Sequence, residues 1–272
     1  MAANSVAYRH DNGLAIITLA NSRGGNRLNP ETLAALAAAF DAIEADTALR
    51  AVLINSDGPA FCLGMDLARA GEGGGHAEAV RAYSELLQRI VHFRLPVVAA
   101  VHGPVKAGGI GLAAACDIVA ASEEADFQLS EVLLGLVPVN VLPFLTPARI
   151  PLARARELIL TARTISAAEA HAAGLVDRIV PAGRLEREVK SIIKMLFRAE
   201  PGALALAKQH TAAMAGCDAA GRALEAQCRS AQAALLELIQ SDAVGEALKA
   251  FALEELPEWS VGFKTSETLV HE

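Results

Sequence analysis

The stretch Val105-Lys-Ala-Gly-Gly-Ile-Gly-Leu-Ala-Ala-Ala-Cys-Asp-Ile118 contains two adjacent glycines, Gly108 and Gly109, at the head of an apolar run. The residues from Gly109 onward fit the G-x-G-x-x-A pattern of dinucleotide-binding folds. That pattern needs its first glycine at the end of a strand, whereas residues 102–107 separate the glycines from the preceding predicted strand. The helix has room only for residues 108–115, which is short for a nucleotide-binding crossover. We therefore disfavour nucleotide binding.

The two glycines can instead serve either of two roles, and the sequence leaves both open. They can allow close packing between the helix and a strand, or they can present free amide groups at the positive end of the helix dipole. A helix that begins at Gly108 would offer one N–H of an oxyanion hole. The second N–H would come from Met65, in the loop Cys62–Asp66, where Gly64 permits an unusual backbone conformation.

Strands and helices alternate along the first two thirds of the chain. An N-cap at Asn29 followed by Pro30 marks the start of the first helix. A second long helix is predicted over residues 77–93, and its apolar side carries Val80, Tyr83, Leu87, Ile90 and Val91. Apolar runs predict strands at residues 14–19, 51–55, 97–101 and 117–121. This alternation predicts an α/β fold with parallel strand pairing.

The later part of the chain is predicted to be mostly helical. Ser166 and Glu169 form a capping-box pattern that opens a short helix, and helical periodicity resumes after residue 186. A break at a Glu-Pro-Gly sequence divides the chain into a core domain, residues 1–200, and a helical region, residues 201–272. The small and apolar residues of the second region predict packing against a neighbouring subunit in a homo-oligomer.

Composition argues against several classes of function. The net charge is −7, from 24 Lys and Arg against 31 Asp and Glu, so we expect no nucleic-acid binding. The four cysteines lack C-x-x-C spacing and the seven histidines are scattered, which predicts reduced thiols and no metal site. We see neither a signal-peptide pattern nor a run of membrane-spanning length, so we expect a cytoplasmic protein with no membrane partner.

Several motifs together resemble the crotonase (enoyl-CoA hydratase/isomerase) superfamily, in order and at the expected separations. They are Phe61-Cys-Leu-Gly-Met-Asp-Leu67, Leu95-Pro-Val-Val-Ala-Ala-Val-His-Gly103, Ala107-Gly-Gly109, Cys116-Asp-Ile118, Ser130-Glu-Val-Leu-Leu-Gly-Leu136 and the segment from Thr161 to Asp177. The resemblance implies a core of repeated ββα units, a helical carboxy-terminal trimerisation region, and trimers or hexamers.

The same resemblance implies how the site works. The enolate of an acyl thioester would be held by the amides of Met65 and Gly108. Neighbouring substrate-binding positions would be Gly64, Gly109 and Asp66, with Asp66 bracing its loop rather than moving a proton.

Hydratases of this family use two glutamates, and this chain has only one of them. The first position is Gly111 here and the second is Glu131. The missing carboxylate argues against ordinary hydration, because that reaction benefits from a paired acid and base. Enoyl-CoA isomerases and some dehydratases of the family use one glutamate.

A closer similarity to the dehydratases of polyketide β-branching implies a more specific reaction. The substrate would be a 3-hydroxy-3-methylglutaryl group on an acyl carrier protein, and the product a 3-methylglutaconyl thioester, with Glu131 as the acid and base. No cofactor is implied beyond the phosphopantetheine of the carrier protein or CoA.

Further residues are candidates for contacts with the substrate or its carrier. Lys106 would pair with the distal carboxylate of the acyl group, and Asn140 would orient a hydroxyl or a water, although a surface or backbone-capping role stays open for each. A basic patch would be needed for an acidic carrier protein, and we place it at Arg149, Arg154 and Arg156. Alternative functions are a Δ3,Δ2-enoyl-CoA isomerase, an enoyl-CoA hydratase of fatty-acid metabolism, and a non-catalytic scaffold that binds acyl thioesters.

Overall fold

The computed structural model describes residues 5–70, 76–134, 136–138, 140–146 and 149–215, together with residues 242 and 246. The strands are β1 (Val6–Asp11), β2 (Leu14–Leu19), β3 (Ala51–Ser56), β4 (Val97–Val101), β5 (Val105–Lys106), β6 (Ile118–Ser122), β7 (Asp126–Gln128), β8 (Ile165–Ser166) and β9 (Arg178–Val180). The helices are α1 (Pro30–Ala45), α2 (Leu67–Ala70), α3 (His76–His92), α4 (Gly108–Ala115), α5 (Leu142–Leu145), α6 (Leu152–Thr161), α7 (Ala167–Ala173), α8 (Leu185–Leu196) and α9 (Pro201–Ala215).

The main sheet has six strands in the order β1-β2-β3-β4-β6-β9. The pair β1–β2 is antiparallel and closes through Asn12 and Gly13, both with positive φ. The other four pairings are parallel, as the sequence predicted. The strand β1 was not predicted, because its mixed polar and apolar residues lack the buried run of the inner strands.

The two faces of the sheet are covered by different helices. Along β4, Val97, Ala99 and Val101 belong to a large core with α1, α3 and α4. Val98 and Ala100 belong to a smaller core with α8. This alternation follows from the two-residue period of a strand, and burial on both faces explains why the inner strands are continuously apolar.

A small second sheet, in the order β5-β7-β8, stands beside the main one. Val105 and Lys106 pair in parallel with Phe127 and Gln128, so the segment before α4 is fixed next to the segment that leads to Glu131. These strands have only two or three residues, which is too short for a periodic signal, and none of the three was predicted as a strand.

The helix start signals were correct in detail for α1 and partly for α7. The Oδ1 atom of Asn29 accepts from the amide of Thr32 at 2.8 Å. Ser166 Oγ accepts from the amide of Glu169 at 3.2 Å, but the carboxylate of Glu169 pairs with Arg154 and Arg163. Only one half of the predicted capping box is therefore formed.

Two further sequence predictions can be compared with the structure. Val80 was placed on the apolar side of α3, yet it is 47% exposed. A helix break does fall before Pro201, where α9 begins. The division into domains remains a prediction, and nearly all of the region 216–272 lies outside the described residues. Within the described residues, no helix is both long enough and apolar enough to cross a bilayer.

Candidate active site

The loop Cys62–Asp66 and the start of α4 are joined by backbone hydrogen bonds. The amide of Lys106 donates to Cys62 O at 2.9 Å. On the other side of the loop, Leu28 donates its amide to Gly64 O at 2.8 Å and accepts from the amide of Asp66 at 2.9 Å. Met65 is thus held between Gly64 and Asp66, which are both hydrogen-bonded to Leu28.

Two glycines are required because these backbones touch. Gly64 has φ of +84°, and a Cβ there would lie 2.9 Å from Lys106 O and 3.1 Å from Gly108 N. A Cβ at Gly109 would lie only 2.2 Å from Cys62 O. Any side chain at either position would force the two loops apart, since real Cβ atoms do not approach so closely.

The amides of Met65 and Gly108 converge at this contact. The nitrogen of Met65 lies 3.6 Å from the place that a Cβ on Gly108 would occupy. Within residues 5–70 and 76–134, neither amide donates a backbone hydrogen bond, and Gly108 is the first residue of α4. Two neighbouring free amides at a helix N-terminus can bind a developing oxyanion.

The residue before the helix is conformationally strained. Ala107 adopts φ of 48° and ψ of −120°, although its Cβ disfavours a positive φ. Its amide donates to Gln128 O at 2.9 Å, and its carbonyl accepts from Ile110 N at 2.9 Å. These bonds hold Ala107 in the turn that directs the amide of Gly108.

Glu131 begins a 3-10 turn, Glu131–Leu134, that follows the small sheet. Its Oε2 atom is inaccessible to solvent and has no hydrogen-bond partner in the described part of the chain. Burial raises the pKa of Glu131, opposed by its own backbone amide. One oxygen of this carboxylate is thus withdrawn from water, and the group is suited to take up and return a proton.

Tyr83 of α3 is a site neighbour that the sequence analysis missed, because it treated this residue only as part of an apolar face. Its hydroxyl donates to Gly108 O at 2.5 Å, and the side chain is buried. A signal was present in Gly111, since a glycine inside a helix is disfavoured unless a neighbour needs its space.

The remaining predicted residues have the following surroundings. Lys106 is half-buried on β5 and forms no ion pair with a described residue. Asn140 Nδ2 donates to Val80 O on α3 at 3.4 Å. Asp66 Oδ1 accepts from the amide of Arg69 at 3.2 Å, so Asp66 caps the short helix α2.

Two of the three arginines of the predicted basic patch form ion pairs within the chain. Arg149 is partly buried and pairs with Asp177 at 2.7 Å. Arg154 pairs with Glu157 at 3.2 Å and with Glu169 at 3.0 Å. Carboxylates from the same region neutralise both charges. Asp177 and Glu169 are distant in sequence from Arg149 and Arg154, so these two pairs could not be predicted from the sequence.

The chemistry available at this site comes from backbone amides and one carboxylate. Among the residues that the structure describes, no group of three or more His, Cys, Asp or Glu side chains could hold a metal ion. Cys62 and Cys116 are free and buried, and burial raises the pKa of each thiol to about 12, so neither is a ready nucleophile.

This fold is shared with known proteins. Residues 9–261 match the family model described as enoyl-CoA hydratase/isomerase. The chain therefore belongs to the enoyl-CoA hydratase/isomerase, or crotonase, family. Membership assigns it to a class of enzymes that act as lyases or isomerases.

Individual relatives agree with this assignment. The chain is 39% identical, over 75% of its length and 82% of the relative, to a putative enoyl-CoA hydratase of Thermus thermophilus. It is 32% identical, over 62% of its length and 54% of the relative, to a mitochondrial methylglutaconyl-CoA hydratase of Rattus norvegicus. The crystal structure of an enoyl-CoA hydratase from Mycobacterium smegmatis superimposes with a TM-score of 0.87 at 27% identity, covering 94% of this chain and 99% of that one.

Proposed function

We propose that this chain is a hydro-lyase that removes water from a 3-hydroxyacyl thioester. The observation that carries the proposal is the combination of two free amides, at Met65 and Gly108, with a carboxylate, Glu131, whose Oε2 atom is buried without a hydrogen-bond partner in the described residues. A thioester carbonyl bound by the two amides becomes a better acid at C2. Glu131 is then the base for that proton.

The reaction can be written with one acid–base group. Glu131 takes the C2 proton, and the electrons of that C–H bond form an enolate whose oxygen accepts from Met65 and Gly108. The enolate collapses to the C2–C3 double bond as the C3–O bond breaks. Protonated Glu131 returns its proton to the departing hydroxyl, which leaves as water. One oxyanion donor contributes about 10²–10³ in rate, and a positioned acid–base about 10²–10⁴.

The proposed substrate is a 3-hydroxy-3-methylglutaryl group carried on an acyl carrier protein, with 3-methylglutaconyl thioester as the product. The similarity to β-branching dehydratases supports this choice, as does the relative that is a methylglutaconyl-CoA hydratase. A tertiary C3 also eases departure of the hydroxyl, which suits a site with one carboxylate. Lys106, half-buried and without an ion pair among the described residues, is proposed to pair with the distal carboxylate.

The carrier of the acyl group is a separate part of the proposal. With a net charge of −7, the chain has no long-range attraction for an acidic carrier protein. The ion pairs of Arg149 and Arg154 remove two of the three cations predicted for docking. The thioester of CoA is therefore tested beside that of the carrier protein.

Exchange of the C2 proton tests the class of reaction. Wild-type protein in D₂O, given the 3-hydroxy-3-methylglutaryl thioester, is expected to incorporate deuterium at C2. The Glu131→Gln variant should be slower by on the order of 10²–10⁴, since its amide cannot accept the proton. Glu124→Gln removes an exposed carboxylate from the same part of the chain and should behave as wild type.

Intact-mass analysis then tests the substrate. Loss of one water from the carrier-bound group, with wild type and Glu124→Gln but not with Glu131→Gln, would support the dehydratase. Turnover of a 3-enoyl-CoA without any dehydration would identify an isomerase instead. Binding without exchange or turnover of either thioester would leave a non-catalytic scaffold.

A further inference from the structure

The phenol of Tyr83 lies against the first turn of α4, at the point where the proposed oxyanion hole is formed. Its side chain is only 3% exposed, and its hydroxyl donates to the carbonyl of Gly108 at 2.5 Å. The same residue, Gly108, supplies one of the two free amides. A hydrogen bond from α3 therefore holds the residue whose amide direction decides how well an oxyanion is bound.

The phenol also occupies the space beside the next residue on this face of the helix. A Cβ at Gly111 would lie 2.2 Å from the Tyr83 hydroxyl oxygen and 3.2 Å from Leu87 Cδ1. Residues 108 and 111 are neighbours on one helix face, as positions three apart are. Tyr83 and Gly111 are thus a matched pair, because the hydroxyl fills the space that a side chain at 111 would need.

The phenol remains a neutral donor under working conditions. Burial raises the pKa of Tyr83 well above its ordinary value, and Cys62 and Glu131 act in the same direction. Its proton therefore stays available for Gly108 O.

We propose that Tyr83 is a positioning residue of this site, which fixes the Gly108 amide through the carbonyl of the same residue and fills the space over Gly111. This inference rests on the proposed oxyanion hole. It explains in physical terms why α4 has a glycine at 111. It also predicts that the site cannot accept a side chain at 111 while the Tyr83 hydroxyl is present.

Three variants test the pairing: Tyr83→Phe, Gly111→Ala and the double variant. Tyr83→Phe should lower kcat by about tenfold with little change in KM, since it removes one neutral hydrogen bond without touching the thioester. Gly111→Ala should be worse than Tyr83→Phe, because its Cβ meets the hydroxyl. The double variant should recover activity and stability relative to Gly111→Ala, since the nearest ring carbon would then be 3.3 Å away. Tyr8→Phe changes the other tyrosine, on β1, and is the control.

A spectroscopic readout separates positioning from general stability. The ¹³C resonance of a bound, unreactive thioester carbonyl reports how strongly its oxygen is hydrogen-bonded. In Tyr83→Phe the shift on binding should be smaller than in wild type and in Tyr8→Phe. An unchanged shift with unchanged kcat, or equal damage by Gly111→Ala in both backgrounds, would overturn the inference.

The same readout distinguishes failure of this inference from failure of the proposed function. If the wild type shifts the carbonyl and exchanges the C2 proton but Tyr83→Phe does likewise, only the positioning role is lost. If the wild type shifts the carbonyl but turns over no thioester, the hole and Tyr83 are still tested by the shift. If binding leaves the wild-type carbonyl unshifted, the hole and the role of Tyr83 fail together.

Discussion

Polar groups lie at both ends of α4, and the two ends differ in whether these groups have hydrogen-bond partners. At the amino-terminal end, the amides of Met65 and Gly108 and the Oε2 atom of Glu131 have no partners in the described ranges. At the carboxy-terminal end, Asp117 accepts from the amide of Val97 at 2.7 Å and pairs with Lys208 at 2.7 Å. Polar groups without partners cost stability, which is why they concentrate where a substrate can complete them.

At the carboxy-terminal end of α4, an aspartate bonds to both backbone groups of one residue on the neighbouring strand, and this arrangement occurs twice. Asp117 donates its amide to Val97 O at 2.8 Å while its carboxylate accepts from Val97 N. Asp177 does the same with Val119, at 2.9 Å and 2.7 Å. Each aspartate precedes a parallel strand and fixes its register to the neighbouring strand. Arg149 connects the two arrangements, since it donates to Asp177 and to Ala114 O and Cys116 O at the end of α4.

Burial alone therefore does not identify the reactive groups. Burial raises the pKa of Asp117, with Lys208 and the amide of Val97 acting in the opposite direction. Burial also raises the pKa of Glu131, where only a backbone amide acts against it. Asp117, whose carboxylate pairs with Lys208, is structural, whereas Glu131, whose Oε2 atom has no partner among the described residues, is free to exchange a proton.

The largest expected effect is at the carboxy-terminal end of α4. Lys208→Met should lower the free energy of unfolding by up to about 3–5 kcal/mol, because it leaves the partly buried Asp117 without its cation. It would also remove donors to Ile90 O and Leu95 O. Urea denaturation measures the change. Lys190→Met, which breaks a more exposed pair with Glu186, should cost no more than about 1 kcal/mol. Equal losses in the two variants would contradict this view of the network.

A second prediction concerns the loop contact at the reactive end. Gly64→Ala should lower kcat by about 10²–10³, since the new Cβ separates Met65 from Gly108 and removes one oxyanion donor. Gly183→Ala is the matched control, because Gly183 also has a positive φ, of 75°, in a turn before α8. Both variants should be strained, but only the first should lose rate. Steady-state kinetics on folded protein would refute the contact's role if the two rates were alike.

Glu131 should make kcat rise with pH and make stability fall with pH. Catalysis needs the carboxylate, so kcat should fall about tenfold per pH unit below the raised pKa. Stability follows the other sign, because the folded state binds this proton more tightly than the unfolded state. The contribution of Glu131 to stability therefore declines as the pH rises from the ordinary pKa of a glutamate through the raised pKa of the folded state.

The variant Glu131→Gln checks both halves of that prediction. At neutral pH it should be more stable than wild type, since it removes a poorly solvated charge, and its stability should vary less between acidic and neutral pH. Thermal unfolding across that range, beside Glu124→Gln, makes the measurement. A variant less stable than wild type at neutral pH would show that the carboxylate is a structural group.

The smallest expected effect is at the strained residue between the two glycine contacts. Ala107→Gly should raise the free energy of unfolding by about 1 kcal/mol, because glycine adopts φ of 48° without a Cβ penalty. Ala162→Gly, at the left-handed cap of α6, should gain a similar amount. Only Ala107→Gly should lower kcat, since it loosens the turn before Gly108. Gains in stability without this difference in rate would show that the strain is unrelated to the site.

The sequence by itself determined the features that are written in neighbouring residues. The cap at Asn29, the helix from Gly108 to Ala115 and the buried inner strands were all predicted within a residue or two, because cap chemistry and periodicity act locally. The family was also identified from motifs in the chain, and the match over residues 9–261 confirms it.

Only the tertiary structure decided which distant residues meet. Tyr83 over Gly111 and Lys208 on Asp117 are contacts between separate elements, and no local pattern encodes their partners. The pairing of Met65 with Gly108 was expected, but from the family resemblance and not from a local pattern. The strands β5, β7 and β8 were likewise missed, because segments of two or three residues become strands only through the neighbours they pair with. Local free energies select helix or strand, whereas burial and pairing across the fold decide which polar groups are satisfied and which stay available for chemistry.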